Sequence, residues 1–123
     1  MDFLDRLRAQ ADDKQAQLQN IREQYLRECE AWAAARLAAA KAGLEAAVQA
    51  GDIHTYRQGL FKRRYVRVKE NGRWTGMPVP CAILHQGWQT PRKATEILED
   101  LCDREGITFR TGSDGEFIYD ADL

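Results

Sequence analysis

Apolar positions recur at alternating three- and four-residue spacing from the start of the chain: Leu4, Leu7, Ala11, then Leu18, Ile21, Tyr25, and onward through Trp32, Ala35, Ala39, Ala42 and Ala46. Lys14 and Glu28 interrupt this seam. The spacing is that of one face of an α-helix. No glycine or proline precedes Gly43, and the good helix formers Ala, Leu, Gln, Glu and Arg fill the segment. The pattern predicts a helix from about Phe3 to Gln49, roughly 70 Å long at 1.5 Å per residue and about twice the diameter of a domain this size.

A second stripe runs beside the first through Leu26, Cys29, Ala33, Leu37, Ala40, Leu44 and Ala47, and widens the apolar face. Between Ala31 and Ala50 only Arg36, Lys41, Glu45 and Gln49 are polar, besides Gly43. The second half of the helix is therefore expected to be nearly surrounded by protein, against its own domain, a second copy, or both. The whole length cannot be buried within one small chain. Either Asp12 and Asp13 cap a second helix and the chain folds back, or the helix projects and pairs as a coiled coil. Pairing is the reading the seam favours, with Leu4, Leu7, Leu18, Ile21, Tyr25 and Trp32 as the expected contacts of a homodimer.

Ala50-Gly51-Asp52 stops the helix, and Asp52 is placed to cap a short helix over Ile53–Gln58 that Gly59 would end. Tyr65 to Lys69 alternates in the period of a strand, and Asn71-Gly72 before Arg73-Trp74-Thr75 is a hairpin signal. Pro78 and Pro80 mark a connector, followed by a short apolar strand from Cys81 to Leu84. Thr90-Pro91 opens a second helix with Ala94, Ile97, Leu98 and Leu101 as its buried stripe, ending near Gly106. Ile107–Thr111 and Glu116–Tyr119 around Gly112-Ser113-Asp114-Gly115 make a C-terminal hairpin with Ile107, Phe109, Phe117 and Tyr119 on one face. The expected fold is α+β: a long, coiled-coil-like helix over residues 1–50 as an oligomerisation or packing arm, then a small binding domain over residues 51–123 of hairpin, helix and hairpin.

Length changes this picture little, since 123 residues suit one compact body with an appendage. Charge changes it more. The formal net charge of -1 conceals a middle segment, residues 53–93, with 9 Lys+Arg against 1 Asp+Glu, and a final segment, residues 94–123, with 2 against 9. Arg57, Lys62, Arg63, Arg64, Arg67, Lys69 and Arg73 interleave with Tyr56, Phe61, Tyr65 and Trp74. Cations attract phosphates, exposed aromatics stack on bases, and a twisted β-ribbon fits a major groove. Arg57, Lys62, Arg63, Arg64, Arg67, Lys69, Arg73 and Trp74 are accordingly the candidate contacts for a nucleic acid or nucleoprotein. The competing reading turns the aromatics into the core, leaves Arg67 and Lys69 in solvent, and pairs the acidic C-terminal helix with part of the strip. Arginines and aromatics also dominate protein interfaces. A protein-directed adaptor or inhibitor that masks a partner surface, such as a phage-encoded antagonist of a bacterial defence complex, is the alternative function.

The carboxylates Glu96, Glu99, Asp100, Asp103, Glu105, Asp114, Glu116, Asp120 and Asp122 form a run that more often is a solvated face than a phosphate mimic. Cys29, Cys81 and Cys102 are odd in number and widely spaced, which points to reduced thiols and to no metal site. Cys81 and His85 would lie about 13 Å apart on an extended strand, and only His54 could join them. No phosphate-binding glycine loop, His-Glu-x-x-His helix or Gly-x-Ser-x-Gly elbow is present. The expectation is a cytoplasmic, non-enzymatic binding protein without cofactor or metal. No stretch reaches the roughly 20 apolar residues of a membrane span, and Asp2, Asp5, Arg6 and Arg8 stand where a signal peptide would be apolar.

Overall fold

The structure is a computed structural model and describes residues 2–71, 79–80 and 90–123. It is α+β, in the order α1 (Phe3–Gln49), β1 (His54–Gln58), β2 (Phe61–Glu70), α2 (Thr90–Arg104), β3 (Ile107–Thr111) and β4 (Phe117–Asp122). The four strands form one antiparallel sheet in the order β1-β2-β4-β3. Among the described residues no helix is long and apolar enough to cross a membrane.

Helix α1 runs unbroken for 47 residues, so Asp12 and Asp13 cap nothing and the chain does not fold back there. Asp2 caps its start, the carboxylate accepting a hydrogen bond from the Asp5 amide at 2.8 Å. At the far end the Asp52 amide donates to the Ala47 carbonyl and the Gly51 amide to that of Val48, the pairing that closes a helix onto a left-handed residue.

One core holds the two layers together. From α1 it takes Tyr25, Cys29, Trp32, Ala33, Ala40 and Leu44, from α2 Ala94, Leu98 and Cys102, and from the sheet Val66, Ile107, Phe117 and Tyr119. Trp32 meets the Phe117 ring edge-on at 6.1 Å, and Phe109 meets Phe117 the same way at 5.1 Å. Gly43 lets the helix approach β2, because a Cβ there would lie 3.1 Å from a Val68 methyl. The core thus spans residues on both sides of position 50, and what stands outside it is the helix stretch 3–24, every residue of which is exposed.

Two expectations need correction. Tyr25 and Trp32, assigned to an oligomer contact, are buried within their own chain, since both pack beneath the sheet. Within one chain the second half of α1 is covered on one side only, by the sheet and α2, and Ala31, Ala34, Ala38, Ala42 and Ala46 remain exposed. Ile53–Gln58 is not a helix. Its Ile, Thr and Tyr favour extended backbone, and His54–Gln58 pairs along its whole length with Phe61–Tyr65. Gly59, at φ 64°, begins the two-residue turn between them, a position that demands the left-handed region. Strand β2 consequently starts four residues earlier than the alternation of Tyr65 to Lys69 suggested. The Asn71-Gly72 turn from Gly72 onward, the expected strand Cys81 to Leu84, and His85 lie outside the described residues.

Candidate nucleic-acid interface

Strand β2 has different neighbours along its two halves. Tyr65 to Glu70 pairs with β4, whereas Phe61 to Tyr65 pairs with β1, so the two pairings share only Tyr65. The β1–β2 hairpin therefore leaves the sheet as a two-stranded ribbon. Its direction follows from contacts along α1. Arg36 meets Glu70 and Asn71 while Gly43 meets Val68, which makes β2 antiparallel to the helix. The ribbon accordingly extends past the C-terminal end of α1, at the end of the molecule opposite the exposed stretch 3–24. All residues from Ile53 to Arg64 are exposed, and at the turn Leu60 is fully so.

Strand alternation sorts the ribbon's side chains onto two faces. Thr55, Arg57, Lys62 and Arg64 share one face, the continuation of the face on which Val66 meets the core. Arg57 and Lys62 are directly paired across the strands, and Arg64 follows two positions along. His54, Tyr56, Phe61, Arg63 and Tyr65 share the other face. There His54 stacks on Tyr65 at 5.2 Å, Tyr56 meets Tyr65 at 5.7 Å, and the Arg67 guanidinium lies over the Tyr65 ring at 5.3 Å. A shallow depression of about 330 Å³ opens beside this cluster, lined by Tyr56, Tyr65, Arg67, Thr108, Asp120 and Asp122.

The basic residues divide by their partners. Arg67 donates to both oxygens of Asp120, at 2.7 and 2.9 Å, and that bond raises its pKa further above the ordinary arginine value. The neutralising carboxylate is thus on β4, directly across the ladder, and not on the acidic helix. Glu105, just past the end of that helix, pairs instead with Lys41 of α1 at 3.4 Å. Among the described residues, no carboxylate lies within ion-pair distance of Arg57, Lys62, Arg63, Arg64 or Lys69. Arg73 and Trp74 lie outside the described residues.

Two features of the site lie outside the residues expected from the sequence. Leu60 and His54 belong to the ribbon, and a glycine between two runs rich in Thr, Tyr and Phe was the available signal for its turn. Arg36 is fully buried, with its guanidinium 4.6 Å from the centre of the Phe117 ring, 3.0 Å from the Asn71 carbonyl and 3.3 Å from Glu70. Nothing in its local sequence distinguishes it from a solvent-facing arginine. Its role is structural, since it joins α1 to the end of β2. Of the expected oligomer contacts, Leu4, Leu7, Leu18 and Ile21 all lie on the exposed part of α1. Cys29 and Cys102 are both buried, and Cys81 lies outside the described residues.

No protein-family model, no curated protein and no solved structure matches this chain.

Proposed function

We propose that this chain is a cytoplasmic, non-enzymatic binding module that acts as a homodimer through the exposed part of α1 and contacts nucleic acid, free or in a nucleoprotein, through the β1–β2 ribbon. The observation that carries this reading is the state of the ribbon's charge: Arg57, Lys62, Arg63 and Arg64 project beyond the sheet, exposed, with no carboxylate partner among the described residues. Cations held on a two-stranded ribbon clear of the body reach phosphates without first breaking an internal ion pair. Four phosphate contacts give a slope of log K against log salt of about -3 to -4 on a duplex.

The test is fluorescence anisotropy of labelled single- and double-stranded oligonucleotides, at low and at near-physiological salt. Binding that weakens with that slope, and that disappears in Arg63→Glu/Arg64→Glu, supports the ribbon as the site. Absence of binding at low salt sets the reading aside.

One observation favours a second reading. Leu60 and the largely exposed Phe61 form an apolar tip between the cations, which also suits a groove on a protein. In that case the chain is an adaptor or inhibitor that masks a partner surface. Co-purification with one stoichiometric protein and no nucleic acid is its signature.

A further inference from the structure

All residues of α1 from 3 to 24 are exposed, and none of them belongs to the core formed by the described residues. Between residues 3 and 24 the seam of the helix consists of Leu4, Leu7, Ala11, Lys14, Leu18 and Ile21 at strict three-four spacing, which is three heptads of core positions. The four large residues are 57%, 43%, 37% and 44% exposed, in the order Leu4, Leu7, Leu18, Ile21. Four basic and four acidic residues make this stretch neutral, so two copies do not repel each other as wholes.

We propose that the occupant of this face is a second copy in antiparallel orientation, with Leu4 facing Ile21 and Leu7 facing Leu18 of the other helix. The inference rests on the homodimer reading above and is independent of the nucleic-acid reading. The order of the seam selects this arrangement. Read forwards it runs large, large, small, charged, large, large, so reversal superimposes large on large at both ends and places Ala11 opposite Lys14 in the middle. A parallel pair would instead set Lys14 against Lys14 in one layer and Ala11 against Ala11 in the next, which combines a buried like-charge contact with an unfilled gap.

Charges outside the seam agree. In the antiparallel pair the Lys14 stem crosses the small Ala11 of the second copy, and its ammonium extends toward that copy's Asp13. Arg22 approaches the second copy's Asp5. The parallel pair brings Asp12 instead of Asp13 to the side of Lys14 and sets Arg22 against Gln17. Lengths match as well. In this register Phe3 falls opposite Arg22, so the second copy covers the helix from its start to the turn before Tyr25, where burial within the chain begins.

The ribbon lies at the far end of each chain from this contact, so antiparallel pairing carries the two ribbons to opposite ends of an elongated particle. From the two-fold axis near residue 12, helix and ribbon extend about 70 Å each way, for a longest dimension of about 140 Å. A parallel dimer would measure about 85 Å and carry both ribbons at one end.

Sedimentation equilibrium and small-angle scattering on the full chain test this together. The expected result is a dimer about 140 Å long. Leu7→Glu/Leu18→Glu, whose sites lie outside the core, is expected to stay folded by circular dichroism and to raise the dissociation constant on the order of 1,000-fold. Asp13→Lys is expected to weaken the dimer roughly tenfold by facing Lys14 of the second copy with another cation. A dimer about 85 Å long that ignores Asp13→Lys would overturn the orientation and leave the homodimer reading standing. A wild-type chain that remains monomeric at tens of micromolar would overturn both.

Discussion

Arg67 and Asp120 face each other across the β2–β4 ladder, and the guanidinium holds both carboxylate oxygens, at 2.7 and 2.9 Å. This pair divides the basic strip. On the sheet side of Tyr65 an arginine is neutralised by a cross-strand carboxylate, whereas on the ribbon side Arg63 and Arg64 have none among the described residues.

The division predicts opposite behaviour for neighbouring arginines. Arg67→Ala removes a bidentate pair whose side chains are about a quarter exposed and is expected to lower stability by about 1 kcal/mol, with little effect on oligonucleotide affinity. Arg63→Ala/Arg64→Ala is expected to leave stability within about 0.5 kcal/mol and to reduce affinity at least tenfold. Urea denaturation beside anisotropy separates the two effects.

Arg36 is enclosed by Trp32, Phe117 and Glu70. Arg36→Ala opens a cavity and strands the half-buried Glu70, for an expected loss of about 3 to 5 kcal/mol. Glu70→Ala in that background is expected to cost less than it does in the wild type, which a double-mutant cycle by urea denaturation measures.

Burial holds Glu70 above its ordinary pKa, against the opposing pull of Arg36. The folded protein thus binds this proton more tightly than the unfolded chain does. Its contribution to stability is complete below the ordinary glutamate value and is lost as pH rises through the higher folded value. Glu70→Gln removes that dependence, so the stability difference between variant and wild type should shift in the variant's favour as pH is raised through the glutamate range. A flat difference would contradict the assignment.

At the alkaline end, burial pushes the Tyr119 hydroxyl up to about 12, while Arg36 beside it draws it back. Burial, with Asp103 and Glu99 adding, pushes the Cys102 thiol up to about 11. Both groups are raised acids, so their contribution is present below the ordinary values of 9.0 and 10.0 and is lost as pH climbs through 11 to 12. The buried Tyr119 hydroxyl makes no hydrogen bond of full geometry among the described residues, Arg36 lying beside it. Tyr119→Phe is therefore expected to be neutral or slightly stabilising at pH 7 and to unfold less readily in alkali. Tyrosinate absorbance followed with pH should lose its latest step in this variant.

Gly43 abuts Val68, whose methyls lie 3.1 and 3.3 Å from where a Cβ would sit. Gly43→Leu gains helix propensity of about 1 kcal/mol but drives a side chain into a β-branched residue fixed in the sheet. The net loss is expected to be about 2 kcal/mol or more, read as a lower thermal midpoint.

Elements whose cause is local were determined by the sequence itself. The 47 residues of α1 follow from a run rich in helix formers, without proline and with Gly43 as its one glycine, bounded by Asp2 and Gly51. The second helix follows from its apolar stripe, and the β3–β4 hairpin from the glycines at 112 and 115. Uneven charge along the chain was legible in the same way. Tertiary structure decided whatever depends on which distant segment lies alongside. Ile53–Gln58 has a cap before it and a glycine after it, as a short helix would, and becomes a strand because Phe61–Tyr65 returns beside it. The strip from Arg57 to Lys69 reads as uniform, yet Arg67 is neutralised by a residue 53 positions away, and the buried Arg36 is paired with one 34 positions away. Trp32 and Leu18 lie on one helical seam, and only the sheet, which reaches the first and stops short of the second, makes one of them core and the other surface. Hydrogen bonds and ion pairs between remote segments depend on register in space, and no local pattern of residues encodes that register.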